Sequence, residues 1–371
     1  MKLSILSENL TEALTHTSRF VASKIQLPIL NYILFSTDNG RLKLSATNLD
    51  LGINYWLGAK IDNQGSFCLP AKEITEFVSY LPSGPLNLSL KENTILNLKS
   101  AKSDSNFACL PATDFPDIPS LDEKNSFEID LKEFTDAVNQ IAFAAATDDS
   151  RPVLTAILCT FSTDKIRLVS TDGFRLSLKE LPLKNPLNLD SEINLLIPAR
   201  SLLEVVKLAK GGGKIKIGLT KDTRQIVFVL ENSEIVSRLI EGEFPDYNRI
   251  IPDKTTTKIH LNREEFISAI RQSSVFARES ANVVKLTLKN NLLQISANAP
   301  QIGQNLVTVD ARLEGESLEI AFNYKFIADF LNICNGEEVI IELNEALSPG
   351  LFKDPSNPYL IHVIMPVRIQ D

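Results

Sequence analysis

Histidine, methionine and tryptophan are scarce in this 371-residue chain, at three, two and one copies, and the scarcity narrows the available chemistry. His16, His260 and His362 lie far apart in sequence, without Cys or carboxylate pairs at ligand spacing. Each reads as a surface or satisfied residue rather than a metal ligand. The four cysteines, Cys68, Cys109, Cys159 and Cys334, show no C-x-x-C spacing and sit in apolar segments, which favours buried reduced thiols over a disulfide framework or zinc site. The run Gly211 to Gly213 before Lys214 lacks the spacing of a phosphate loop. No G-x-S-x-G and no dinucleotide fingerprint occurs either. Asp148-Asp149 is the remaining divalent-ion candidate and reads as a solvated loop. No apolar run approaches membrane-spanning length, and Met1 to Leu6 runs straight into Ser7-Glu8-Asn9 without the apolar core of a signal peptide. These absences predict a cytoplasmic, non-catalytic protein with no cofactor, no metal and no membrane partner.

What is present is ordinary in composition. With 44% hydrophobic and 23% charged residues, the chain is long enough for two or three domains. The net charge of −8 argues against coating nucleic acid with the whole surface and leaves room for a local basic face.

Internal repetition sets the architecture. Leu69 to Ile74, Ile197 to Leu202 and Phe322 to Ile327 align at offsets of 200 − 72 = 128 and 325 − 200 = 125. The same offsets superpose Phe77, Val205 and Phe330, then Val78, Val206 and Leu331, then Leu81, Ala209 and Cys334. That is one apolar helix face written three times. Each helix is expected to stop at glycine, at Gly84, Gly211 and Gly336. Upstream, Leu10 and Leu14 match Phe134 and Val138, and these match Phe266 and Ile270, which gives each unit a second amphipathic helix. Alternating segments such as Arg41 to Ser45, Ile166 to Val169 and Leu293 to Ser296 read as strands. Phe115-Pro116-Asp117 and Phe244-Pro245-Asp246 recur 129 residues apart just before a new unit, where proline signals a boundary. The fold class is therefore α+β, in three modules at 1–125, 126–253 and 254–371, each a sheet with two helices on one face. An unpaired sheet edge favours joining the next module edge to edge, and an arc of three invites closure by a second chain.

The most informative stretch is Thr171-Asp172-Gly173-Phe174-Arg175-Leu176, which follows an apolar strand. The Asp-Gly pair signals a turn with glycine at positive φ, and such a turn holds Phe174 and Arg175 on a rigid edge. A plain hairpin is the alternative. Lys72, Arg200 and Lys325 repeat a positive charge in the first turn of the threefold helix, and Lys207, Lys210, Arg263, Arg271 and Arg278 add to it.

Together with Leu27-Pro28-Ile29-Leu30, Glu243-Phe244-Pro245-Asp246-Tyr247 and the terminal Val363 to Ile369, the tripartite repeat and this turn resemble the bacterial sliding clamps, the beta subunits of DNA polymerase III. The resemblance covers essentially the whole chain. It implies a head-to-tail homodimer forming a six-module ring around double-stranded DNA, with sheets outside and helices lining the hole. It also implies a pocket for short peptides carried by the DNA polymerase III alpha subunit, the clamp loader, other polymerases and repair proteins. In this sequence the pocket positions are Leu154, Thr171, Gly173, Phe174, Arg175, Leu176, Pro245, Arg249, Ile250, Val363, Ile364, Met365, Pro366, Val367 and Arg368. The implied DNA-facing residues are Lys24, Lys72, Arg151, Arg200, Lys207 and Lys325, meeting phosphates without sequence preference. The expected subunit contact is Phe107 and Leu110 of one chain against the helix bearing Phe266 and Ile270 of the other. A repeat scaffold without a DNA role, or a metal-dependent nucleic-acid enzyme, is the competing reading.

Overall fold

The computed structural model describes residues 1–22, 27–91, 94–189, 191–252 and 254–368. Chain contacts gather into two compact units, Met1–Lys132 with Lys207–Leu239, and Glu133–Val206 with Ile240–Asp371. Among the described residues six α-helices punctuate the strands: α1 (Ser7–Thr17), α2 (Ala71–Ser79), α3 (Leu131–Ile141), α4 (Ala199–Leu208), α5 (Arg263–Ala277) and α6 (Tyr324–Ile333). They fall at the repeat positions read from the apolar periodicity.

The first unit holds two antiparallel sheets. One runs Lys60–Asn63, Lys2–Leu6, Pro85–Lys91, Ile95–Lys99, Asp104–Ala108, and so leaves the last strand as an open edge. The other has eight strands, in which Ser233–Arg238 joins Leu51–Leu57, with Ile235 opposite Ile53 and Val236 opposite Gly52. Helix α1 packs on α2 and on the strands Arg41–Thr47 and Leu51–Leu57. Leu10 and Leu14 of α1 and Ile74 and Val78 of α2 are wholly buried, as amphipathic helices on a sheet require.

The second unit is built on one twelve-stranded antiparallel sheet. Within it Arg175–Pro182 pairs on one side with Lys165–Thr171 and on the other with the chain's last strand, Leu360–Ile364. Helix α5 packs on α6 and on the strands Leu292–Ala299 and Gly303–Glu314. Its N-cap is Asn262, whose side chain accepts from the Glu265 amide at 3.1 Å. Asn323 does the same for α6, accepting from Lys325 N–H at 3.0 Å.

Two expectations are corrected here. The repeated helices end at Ser79, Leu208 and Ile333, before the glycines: Tyr80 closes α2 in a right-handed conformation, so Gly84 belongs to the loop into the next strand rather than to a cap. Phe266 and Ile270 are 0% and 1% exposed on the inner face of α5. They are spent on their own core and are not available to a second subunit. Leu110 is half-buried, and its backbone pairs with Cys68 through reciprocal hydrogen bonds at 2.9 and 3.0 Å. Phe107, half-buried and edge-on to Phe77 at 5.1 Å, remains on the open edge strand. Lys24 lies outside the described residues. All four cysteines are buried and free, and burial pushes the Cys68 and Cys334 thiols up to about 12, which keeps them protonated and inert.

Candidate peptide-docking site

The turn after Lys165–Thr171 is held by its own side chains. Thr171 Oγ1 donates to the Arg175 carbonyl at 2.6 Å and accepts from Gly173 N–H at 3.0 Å, while Asp172 Oδ1 accepts from the amides of Phe174 and Arg175 at 2.9 and 3.0 Å. Glycine is favoured at position 173, where φ is +90° and an added Cβ would stand 3.2 Å from the Arg151 guanidinium. Arg151 itself donates to the Asp172 carbonyl at 3.2 Å. The predicted DNA-facing residue is thus exposed but leans on this turn.

Arg175 ties the turn down. Its side chain is only 11% exposed and bridges Asp172 at 3.0 Å and Asp329 at 2.5 Å. It also donates to the Phe143 carbonyl at 2.7 Å and lies 4.5 Å from the Phe326 ring centroid. A guanidinium so engaged fixes the backbone. Arg175 is thus a positioning residue for the turn.

Beside the turn, Leu176 sits opposite Val363 and Arg175 opposite Ile364, and Met365 N–H donates to the Phe174 carbonyl at 2.8 Å. Leu176 and Val363 join Val169, Leu178, Tyr247 and Leu351 in one buried apolar cluster, against which Phe244, Ile250 and Ile251 pack half-exposed. Three distant segments therefore meet over one floor. At its margin Phe174 is 61% exposed and Met365 37%. Pro245, Arg249 and Arg368 are also exposed, with Arg249 salt-bridged to Asp246 at 2.8 Å. Pro366 and Val367 are half-buried, Val367 N–H donating to the Ala321 carbonyl at 2.8 Å. Leu154, Thr171 and Ile364 are buried at 5%, 3% and 0% and shape the site from below.

The cluster members that the sequence reading missed are instructive. Leu178 follows Leu176 by two residues and could have been found from strand periodicity. Leu351, and Phe143, Phe326 and Asp329 around Arg175, carry no local signal. Behind the last strand, His362 is fully buried, its Nδ1 2.6 Å from Ser177 Oγ and its ring stacked on Phe330 at 5.3 Å. Burial first, and Arg175 second, drive its pKa down to about 3. It is neutral at physiological pH and has no part in ligand binding.

Lys72, Arg200 and Lys325 are each the second residue of α2, α4 and α6, and all are exposed, as is Lys207. Elsewhere charge is partly neutralised: Lys210 bridges Glu12 at 2.5 Å, and Arg263 pairs with Glu264. Among the described residues no group of three potential metal ligands assembles, and no helix is long and apolar enough to cross a membrane.

A repeated sheet-and-helix chain has the architecture of the DNA clamps. Three family profiles match in order: the N-terminal domain of the DNA polymerase III beta subunit over residues 1–119, the central domain over 128–246 and the C-terminal domain over 248–368. The "Beta sliding clamp" of Bacillus subtilis is 29% identical over 99% of this chain and 100% of its own length, and that of Chlamydia pneumoniae 27% over the full length of both. The crystal structure of the Bacillus subtilis DNA polymerase sliding clamp superposes with a TM-score of 0.94 at 29% identity, covering all of both chains. A sliding clamp from Pseudomonas aeruginosa bound to griselimycin superposes at 0.93 with 26% identity, again over both full chains. The chain belongs to the bacterial DNA polymerase III beta subunit family and is a DNA sliding clamp.

Proposed function

We propose that two copies of this chain, each of modules 1–125, 126–253 and 254–371, close into a ring around duplex DNA, and that the Thr171–Leu176 hollow tethers partners by short peptides. The protein acts in the cytoplasm without catalysis. Its partners are the DNA polymerase III alpha subunit, the clamp loader, and other polymerases and repair proteins. Lys24, Lys72, Arg151, Arg200, Lys207 and Lys325 meet phosphates loosely and without sequence readout.

The pattern of sheet junctions supports the dimer. Leu51–Leu57 and Arg175–Pro182 each have a second strand beside them, Ser233–Arg238 and Leu360–Ile364. Their counterpart Gly303–Glu314 pairs with Leu292–Ala299 along 303–310, but on its other side only 311–314 are paired. Leu306 stands opposite Ser296 as Leu178 stands opposite Val169, yet Leu306 is 63% exposed and Leu178 7%. The missing strand is Asp104–Ala108 of a second copy, the open edge that carries Phe107.

The observation that carries the tethering role is the apolar cluster with Phe174 and Met365 left exposed above it. An apolar floor suits Leu or Phe anchors, and Arg249 and Arg368 orient the peptide's polar groups. Affinity on the order of micromolar suits partners that exchange. Titrating a labelled Gln-x-x-Leu-Phe type peptide tests this. Phe174→Ala with Met365→Ala, both at exposed positions, is expected to weaken binding about tenfold or more and to reduce polymerase stimulation. Unchanged affinity in that variant rules the site out.

A further inference from the structure

The first unit contains a second copy of the docking turn, and beneath it an open cavity of about 170 Å³. Thr47 Oγ1 accepts from Leu49 N–H at 3.0 Å and donates to the Leu51 carbonyl at 3.2 Å, and Asn48 Oδ1 accepts from the amides of Asp50 and Leu51 at 3.1 and 2.8 Å. These are the four bonds of the Thr171 turn, shifted by 171 − 47 = 124 residues. The neighbouring segments correspond as well: Val236 faces Gly52 across the strands as Val363 faces Leu176, and Pro116-Asp117-Ile118 takes the place of Pro245-Asp246-Tyr247.

Gly52 stands in the lining where the sister site has leucine. A Cβ there would touch Ile118 and Thr47 Oγ1, both at 3.4 Å, so Ile118 covers this stretch of the strand and the cavity opens beside it. The lining is also different in kind. Ile118, Pro116 and Val236 supply apolar walls, while Asp50 and Asp117 bring exposed carboxylates to the lining. Gln225 also borders the cavity, and its Oε1 is buried without a hydrogen-bond partner, an arrangement that costs free energy. No Lys or Arg lines the cavity. Arg238 reaches Asp50 only at 3.7 Å, between two well-exposed side chains.

We propose that this cavity is a second docking site, which takes an arginine or lysine side chain from a linear peptide. The apolar stem would lie along Pro116 and Ile118, and the cationic head would donate to the carboxylates of Asp50 and Asp117. The volume is below that of pockets for drug-sized molecules and suits a single anchoring side chain. That the guest is a peptide rests on the tethering role of the sister turn; that it is cationic rests on this cavity alone.

The test uses the full-length protein with labelled isoleucine δ1 methyls and two capped peptides, acetyl-Ser-Leu-Arg-Leu-Ser-amide and its twin with Gln for Arg. The Arg peptide should shift the Ile118 methyl saturably, with at least tenfold higher affinity than the Gln peptide. Gly52→Leu, filling the cavity, should abolish the shift, and the exposed change Asp117→Asn should weaken it several-fold. Equal affinity for the two peptides, no Ile118 shift at millimolar peptide, the same shift with magnesium chloride alone, or an undiminished shift in both variants overturns the proposal. The Ile250 methyl, read with a Gln-x-x-Leu-Phe type peptide, reports separately on the sister site.

Discussion

The two turns, Thr47–Gly52 and Thr171–Leu176, share one backbone device and differ at nearly every side chain around it. Phe174 answers to Asp50, Arg175 to Leu51, Leu176 to Gly52, and Tyr247 to Ile118. The Thr and Asn or Asp side chains that bond back to the chain are kept, because they alone make the turn. Everything that meets a guest is free to vary. One site is floored by a packed apolar cluster and rimmed by exposed Phe174 and Met365; the other is open-floored and rimmed by carboxylates. The repeat supplies one backbone scaffold twice and surrounds each copy with different side chains.

The comparison breaks most sharply at Leu176. Leu176→Gly copies the floor of the first turn into the second and removes a side chain 1% exposed. It is expected to cost about 3–5 kcal/mol, from lost burial and the cavity left behind, and to weaken peptide binding more than tenfold. Urea unfolding beside a peptide titration measures both. A loss under 1 kcal/mol would show that the cluster is not a packed floor.

A second contrast lies one residue further along each strand pair. Ile53 opposite Ile235 in the first unit is replaced by Ser177 opposite His362 in the second. Above pH 6.5 the histidine is neutral whether folded or unfolded and costs nothing. Between 6.5 and about 3, the unfolded chain binds a proton that the folded chain refuses, so stability falls as pH falls. The slope approaches about 1.4 kcal/mol per pH unit for this one group. Ser177→Ala with His362→Leu should flatten the stability profile between pH 6.5 and 5, followed by urea midpoints. An unaltered slope would place the proton elsewhere.

The smallest effects test the turns themselves. Leu49 has φ of +76° where its counterpart Gly173 has +90°. Leu49→Gly should relieve a left-handed strain of about 1 kcal/mol, and Gly173→Ala should destabilise by a similar amount while crowding Arg151. Thermal melts with the same sign for both changes would contradict the equivalence of the turns.

These particulars show what the sequence could convey. The helix faces of α1, α2, α5 and α6 were legible because burial repeats at 3.6 residues, and the turn was legible because Thr-Asp-Gly is local chemistry. Phe266 and Ile270 were misassigned to a subunit contact because one apolar residue serves a core or an interface equally well, and only topology decides. The anchoring of Arg175 was not legible because its partners, Asp329 and Phe143, lie 154 and 32 residues away. The glycines after α2, α4 and α6 read as caps because a loop glycine and a capping glycine look alike until the dihedral is known.

The central claim is topological, and retention on DNA of different shape tests it most directly. The protein is loaded onto nicked circular DNA, the circle is left intact or cut once, and the bound fraction is followed by gel filtration. The account predicts that the wild-type clamp stays on the circle and runs off the linear form, and that Phe107→Glu, burying a carboxylate at the open edge at a cost of several kcal/mol, is monomeric and is held by neither. Wild-type protein leaving circular and linear DNA at the same rate would contradict it.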